Sequence, residues 1–179
     1  MSREILVLSA SPRKGGNSDL LCDSFMQGAM AAGHQTEKIF IQQKTINSCL
    51  GCEVCKSNGG SCVHKDDMTE ILNKMIEKDT IVLATPIYFY SMDGQLKTLI
   101  DRTYARYPEM NGKKFYFILT GGAPDKSYME TAVAGLQGFV NCVPEAKING
   151  IVYGIGTGEK GDVKNTKAME EAYNMGKQI

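Results

Sequence analysis

The sequence predicts a single α/β domain over residues 1–179: a parallel sheet of five strands with helices on both faces. Three observations carry this. Short, unbroken apolar runs rich in β-forming residues recur along the chain, the pattern of strands buried on both sides. Between them lie segments whose apolar residues repeat at helical spacing, so strand and helix alternate throughout. A chain of 179 residues supports one sizeable core, and no repeat, low-complexity tract or linker divides it.

In order, Ile5–Leu8 is the first buried strand. Residues 9–18 form a loop, and Asp19–Ala32 a helix with Leu21, Phe25, Ala29 and Ala32 on one face, stopped by Gly33. Thr36–Ile41 alternates as a second strand. Residues 42–66 are a long connection, of a length that usually carries function. Met68, Ile71, Leu72, Met75 and Ile76 predict a helix, with Asp67 and Glu70 as a capping box. Thr80–Ala84 is the third strand, opening into the loop Thr85–Ser91. A helix carrying Leu96, Leu99 and Ile100 follows, then the strand Phe115–Leu119 and the loop Thr120–Pro124. Met129–Val140 is helical, Ile148–Ile155 is a fifth strand, and Val163 onward is the last helix. In such a sheet ligands bind at the carboxyl ends of the strands. Loops 9–18, 85–91 and 120–124 are therefore expected on one edge.

Composition narrows the function. The formal net charge is zero and basic residues are scattered, which argues against nucleic acid and anionic membrane surfaces. No apolar run approaches the ~20 residues of a membrane span, and the N-terminus lacks a signal-peptide pattern. A cytoplasmic protein is expected. Of six cysteines, Cys49, Cys52, Cys55 and Cys62 fall in one short stretch. In a reducing compartment such a cluster points to metal or redox chemistry rather than disulfides. Cys22 and Cys142 read as core or near-core thiols, and His64 as a solvated loop residue.

The three edge loops suggest their own chemistry. Ser9, Ser11, Arg13, Asn17 and Ser18 bring hydroxyls, an amide and a cation to the start of a helix, where N–H groups and dipole favour an anion. The alternative is a turn capped by Asn17 or Ser18. No Lys-Ser/Thr pair follows the glycines, so this is not a nucleoside-triphosphate loop. Pro86 disfavours continued pairing in a central strand. That places Tyr88-Phe89-Tyr90 at the sheet edge, where aromatics suit a flat ring system. Gly121-Gly122 lets backbone approach that ring. Gly156-Thr157-Gly158-Glu159-Lys160-Gly161 fits the dinucleotide spacing but follows the last strand, with no room for the rest of the unit. It reads as a glycine-rich turn. No Ser-His-Asp, metalloprotease or paired-carboxylate set is present, and no catalytic side chain is expected.

Together, Ser9-Ala10-Ser11-Pro12-Arg13…Gly16-Asn17-Ser18, Thr85-Pro86-Ile87-Tyr88 and Gly94-Gln95-Leu96-Lys97…Ile100-Asp101-Arg102 resemble the NADPH-dependent FMN reductases of the flavodoxin-like superfamily. The resemblance runs from residue 5 to about 123. It implies a flavodoxin-like three-layer sandwich with strand order 2-1-3-4-5, non-covalent FMN, and a homodimer or homotetramer. By position, Ser9, Ser11, Arg13, Asn17 and Ser18 would hold the FMN phosphate. Pro86, Ile87, Tyr88 and Phe89 would line the isoalloxazine, with Thr120, Gly121 and Gly122 at its other edge. Asp101-Arg102 is expected to be a structural ion pair.

The run Cys49-x2-Cys52-x2-Cys55-x6-Cys62, followed by Lys65-Asp66-Asp67-Met68, resembles the compact motif of iron–sulfur flavoproteins. A [4Fe–4S] cluster, a tetrahedral zinc and no metal at all stay open as readings of these four thiols. The resemblance implies hydride transfer from NAD(P)H to FMN, then electrons to a quinone, a nitro or azo compound, or a protein. A pure electron carrier and a flavin-free regulatory protein are the rival readings.

Overall fold

The computed structural model describes residues 2–179. Strands β1 (Glu4–Ser9), β2 (Gln35–Phe40), β3 (Thr80–Tyr88), β5 (Lys114–Gly121) and β6 (Lys147–Ile155) form a parallel sheet in the order β2-β1-β3-β5-β6. Counting only these five, that is the expected order 2-1-3-4-5. A two-residue β4 (Ser91–Met92) pairs antiparallel with the end of β3.

The period of two along each strand divides the core. Leu6, Leu8, Ile81, Leu83, Phe115 and Phe117 face one layer, built from α3 (Met68–Glu77), α4 (Gly94–Arg102) and α5 (Glu130–Cys142). Ile5, Val7, Val82, Tyr116 and Ile118 face the other, built from α1 (Asn17–Ala31) and α6 (Ala168–Lys177). Cys22 lies in this second core and is fully buried. Cys142, expected near the core, is exposed, because α5 ends there and turns it outward.

Helices α1 and α6 touch backbone to backbone. A Cβ at Gly28 would stand 1.9 Å from the Tyr173 carbonyl oxygen, and one at Gly176 would stand 2.0 Å from that of Phe25. Gly28→Ala or Gly176→Ala is expected to cost about 2–3 kcal/mol in urea unfolding, the penalty of overpacking. Gly138→Ala on α5, with open space around it, should be neutral or slightly stabilising.

Three local expectations need correction. Strand β3 does not stop at Ala84 but runs through Pro86 to Tyr88. The polar groups of alternate residues point to the same neighbour. Ala84 accepts from Ala10, so Pro86 turns its missing N–H toward β1, which has already ended at Ser9. Pairing of Pro86 with Thr120 on β5 is unaffected. The Asp67–Glu70 capping box does not form. Asp67 accepts from the Thr45 N–H at 2.7 Å, Asp66 accepts from the Met68 N–H at 3.3 Å, and Glu70 pairs with Lys74 at 3.1 Å. Asp101 and Arg102 do not pair with each other. They lie side by side on a helix and face different ways: Asp101 pairs with Lys97 at 2.6 Å, Arg102 with Asp66 at 2.7 Å.

Candidate functional site

The loops after β1, β3 and β5 meet at one sheet edge, as the alternation requires. In the first, Ser11 Oγ accepts from the Arg13 N–H at 3.2 Å and Gly16 N–H donates to the Arg13 carbonyl at 2.8 Å. A Cβ at Gly16 would stand 2.8 Å from that carbonyl, so the turn needs glycine there. Gly16 is also the N-cap of α1, and no side chain caps the helix. The first N–H groups of α1 therefore open into a cleft of about 110 Å³, which Ser11 and Arg13 also line. An uncapped helix end beside a cation is a fitting cradle for a phosphate.

The other predicted loop residues hold this cradle in shape. Ser9 is fully buried and its hydroxyl donates to Asp19 at 3.1 Å. Asp19 also accepts from the Gly15 N–H at 2.8 Å and from Lys38 at 2.8 Å. Burial alone would raise the Asp19 carboxyl, but Lys38 and the Gly15 N–H outweigh it and hold it below the ordinary value. The Ser18 hydroxyl is bonded to that of Thr120 at 2.6 Å. The Asn17 amide donates to the carbonyls of Thr157 (3.1 Å) and Glu159 (2.8 Å), and accepts from the N–H groups of Gly161 (3.0 Å) and Val163 (3.3 Å). The alternative, a turn capped by Asn17 or Ser18, is thus absent, since both side chains are engaged elsewhere.

Pro86, Ile87, Tyr88, Thr120, Gly121 and Gly122 line the same cleft. It continues into a second hollow of about 170 Å³, which shares Ile87, Gly121 and Gly122 and adds Phe89, Tyr90 and Tyr128. Phe89 borders only this second hollow and is wholly exposed. Phe89 and Tyr90 occupy the two-residue turn between Tyr88 and Ser91, with φ of 48° and 64°. Such a turn favours glycine and asparagine, so two aromatics there store strain. Tyr90 stacks on Tyr128 with ring centroids 5.8 Å apart. The hollow is uncharged and floored by glycine backbone, which fits a flat ring.

Next to this edge, Asp93 caps α4 by accepting from the Leu96 N–H at 2.9 Å. It is 3% exposed and its second carboxyl oxygen has no partner. Burial pushes its pKa up to about 6, against the Leu96 bond, which lowers it. A raised carboxyl stabilises the fold where it is protonated. The stabilising contribution of this one group should therefore grow by about 2–3 kcal/mol as pH falls from 7 toward 4. Asp93→Asn keeps a good cap and should flatten that slope in pH-dependent urea unfolding.

The sequence reasoning missed Lys160 and Tyr128. Lys160 belongs to the Gly156–Gly161 segment, which packs against the first loop. The signal was available, because this segment leaves β6 at the same carboxyl edge as the other three loops.

The four cysteines of the 42–66 connection are free thiols. Their chemistry suits a metal, but their placement does not. Among the described residues, no three His, Cys, Asp or Glu side chains converge to hold an ion. The turn α2 (Val54–Ser57) is pinned by Lys56, which donates to the Tyr104 carbonyl at 2.7 Å and lies 4.0 Å over its ring. Cys62 then lines one cleft beside Arg102, and Cys49 lines another beside Phe139. His64 bonds the Ser48 carbonyl at 3.0 Å rather than facing solvent alone.

Comparison with known proteins adds to this geometry. The family model for NADPH-dependent FMN reductase matches residues 3–144. An iron–sulfur flavoprotein of Methanocaldococcus jannaschii is 33% identical over 98% of this chain and 95% of its own length. An iron–sulfur flavoprotein of Archaeoglobus fulgidus is 39% identical over 58% of this chain, the match spanning 47% of that relative. Several curated relatives are thus matched over only about half their length. Among solved structures, an NAD(P)H:quinone oxidoreductase from Methanothermobacter marburgensis superposes with a TM-score of 0.75 at 19% identity, over 99% of this chain and 97% of that one. That likeness shows the shared fold.

Proposed function

The chain belongs to the NADPH-dependent FMN reductase family, in its iron–sulfur flavoprotein branch, and on that premise we propose that it is an FMN-dependent oxidoreductase. It takes hydride from NAD(P)H and passes electrons to a small planar acceptor such as a quinone. The observation that carries the reading is continuity. The uncapped start of α1 with Arg13 opens directly into the glycine-floored, aromatic-rimmed hollow.

Bound there, FMN supplies the hydride and electron chemistry. The protein binds, orients and excludes water. Arg13, Ser11 and the N–H groups of Asn17 and Ser18 hold the phosphate. Ile87 and the backbone of Gly121 and Gly122 flank the ring. Tyr90 and Tyr128 shield its open side, and their uncharged surroundings favour a neutral acceptor. No side chain is assigned a proton-transfer role. Reconstitution tests the reading: one FMN per chain is expected, bound more tightly than riboflavin. Protein that stays colourless after FMN is added would overturn it.

A second reading adds a [4Fe–4S] cluster on Cys49, Cys52, Cys55 and Cys62, which would make the protein an electron carrier to a partner. The thiol spacing and the iron–sulfur flavoprotein relatives favour it. That Cys49 and Cys62 line different clefts, and that among the described residues no three metal-ligating side chains converge, speaks against it. Iron and acid-labile sulfide in anaerobically purified protein would support the cluster, and their absence would remove it.

A further inference from the structure

The Gly156–Gly161 segment is not a free turn. Asn17 holds it at three points and bonds Val163 just beyond it. The Thr157 N–H donates to the Gly121 carbonyl at 2.8 Å and its hydroxyl to the Gly154 carbonyl at 2.8 Å. The Glu159 N–H donates to Asp162 at 2.7 Å. Gly122 and Gly158 approach closely, a Cβ on Gly122 standing 3.5 Å from the Gly158 Cα. A segment fixed this firmly presents its side chains in a defined place. Lys160 lines the phosphate cleft, with its terminal methylene and amine 3.6 and 3.7 Å from where a Cβ on Gly15 would stand.

Lys160 and Arg13 make no ion pair among the described residues. The Arg13 guanidinium has only a long bond, 3.5 Å, to the Gly158 carbonyl. Asp19, the carboxylate that accepts from the Gly15 N–H behind the loop, is already matched by Lys38 at 2.8 Å. In a chain of zero formal net charge, two unmatched cations flank one helix start. Charge-assisted contacts of this kind suit a terminal phosphate monoester, close to doubly ionised at neutral pH.

We propose that Lys160 is a ligand of the flavin phosphate, and that with Arg13 it makes the cleft selective for a terminal phosphate monoester over a neutral or diester tail. The proposal rests on the FMN reading above. It gives the rejected dinucleotide-like motif a role: its glycines let the chain close over the phosphate, and its lysine contacts it. The C-terminal part of the chain, beyond the family match, then completes the site.

The test is equilibrium titration of the full apoprotein with FMN, riboflavin and FAD. Wild type should prefer FMN over both. Lys160→Met should weaken FMN about 10–50-fold, the worth of one hydrogen bond to a charged group, and leave riboflavin within about twofold. Lys160→Arg should recover most of the FMN affinity. Lys164→Met, an exposed lysine of the following turn, should change nothing. If Lys160→Met binds FMN within twofold of wild type, the role of Lys160 is refuted while the FMN site stands. If wild type shows no preference for FMN over riboflavin, the FMN reading itself fails, and the proposal with it.

Discussion

Replacing Arg102 by methionine should cost about 3–5 kcal/mol of folding stability, the toll of leaving one partner of a buried ion pair alone. The side chains of Arg102 and Asp66 are 2% and 1% exposed, and they meet through two bonds of 2.7 and 3.0 Å. Arg102 also donates to the Asn47 carbonyl at 2.6 Å, and Asp66 accepts from the Asn47 N–H at 2.9 Å. This clasp ties both stems of the cysteine-bearing connection to the end of α4. Burial would raise the Asp66 carboxyl, but Arg102 and Asn47 prevail and hold it far below the carboxylate range. A depressed carboxyl stabilises the fold above its unfolded value, near 4, and loses that contribution as pH falls further. Arg102→Met should therefore unfold at lower urea at pH 7 and lose less stability than wild type between pH 4 and 2. Asp66→Asn should cost a similar amount at pH 7. Unfolding of either variant at wild-type urea concentrations would mean the clasp contributes nothing.

Asn17→Ala should lower FMN affinity by about 100-fold or more, the combined effect of several hydrogen bonds within one brace. The substitution frees the 157–163 segment and strands the carbonyl partners of the Asn17 amide. Asn17→Asp is the sharper variant. It can still accept from Gly161 and Val163, but sets a negative charge against two carbonyls and against any phosphate. It should bind FMN more weakly than Asn17→Ala. Flavin fluorescence titration measures both. Wild-type affinity in either variant would show that the brace is unnecessary for binding.

These two predictions mark what the sequence made legible. Strand runs such as Ile5–Leu8 and Thr80–Ala84 are local patterns, and the alternation with helices constrained the sheet, so the shared edge followed. Composition also located the loops: Ser11, Arg13, Asn17 and Ser18 all line the cleft. It could not say which polar side chains are engaged within the protein. Ser9, Asn17 and Ser18 carry the right atoms, but Asp19, the 157–163 segment and Thr120 take them. Those partners lie 10, 140 and 102 residues away, distances over which a pattern in one sequence carries no pairing information. The Asp66–Arg102 clasp, 36 residues apart, was hidden for the same reason, and the adjacent Asp101 was the misleading choice. Pro86 misled differently. Its missing donor matters only if a neighbour is there to need it, and β1 has ended.

The cysteine spacing was equally visible, but spacing fixes reach and not placement. Cys49 and Cys62 end up lining different clefts.

The most direct test of the central claim is the anaerobic addition of NADPH, and separately NADH, to the FMN-loaded protein while its flavin absorption is followed. Rapid bleaching by at least one of them is the predicted result. A flavin that stays oxidised with both would contradict the assignment as a nicotinamide-dependent FMN oxidoreductase.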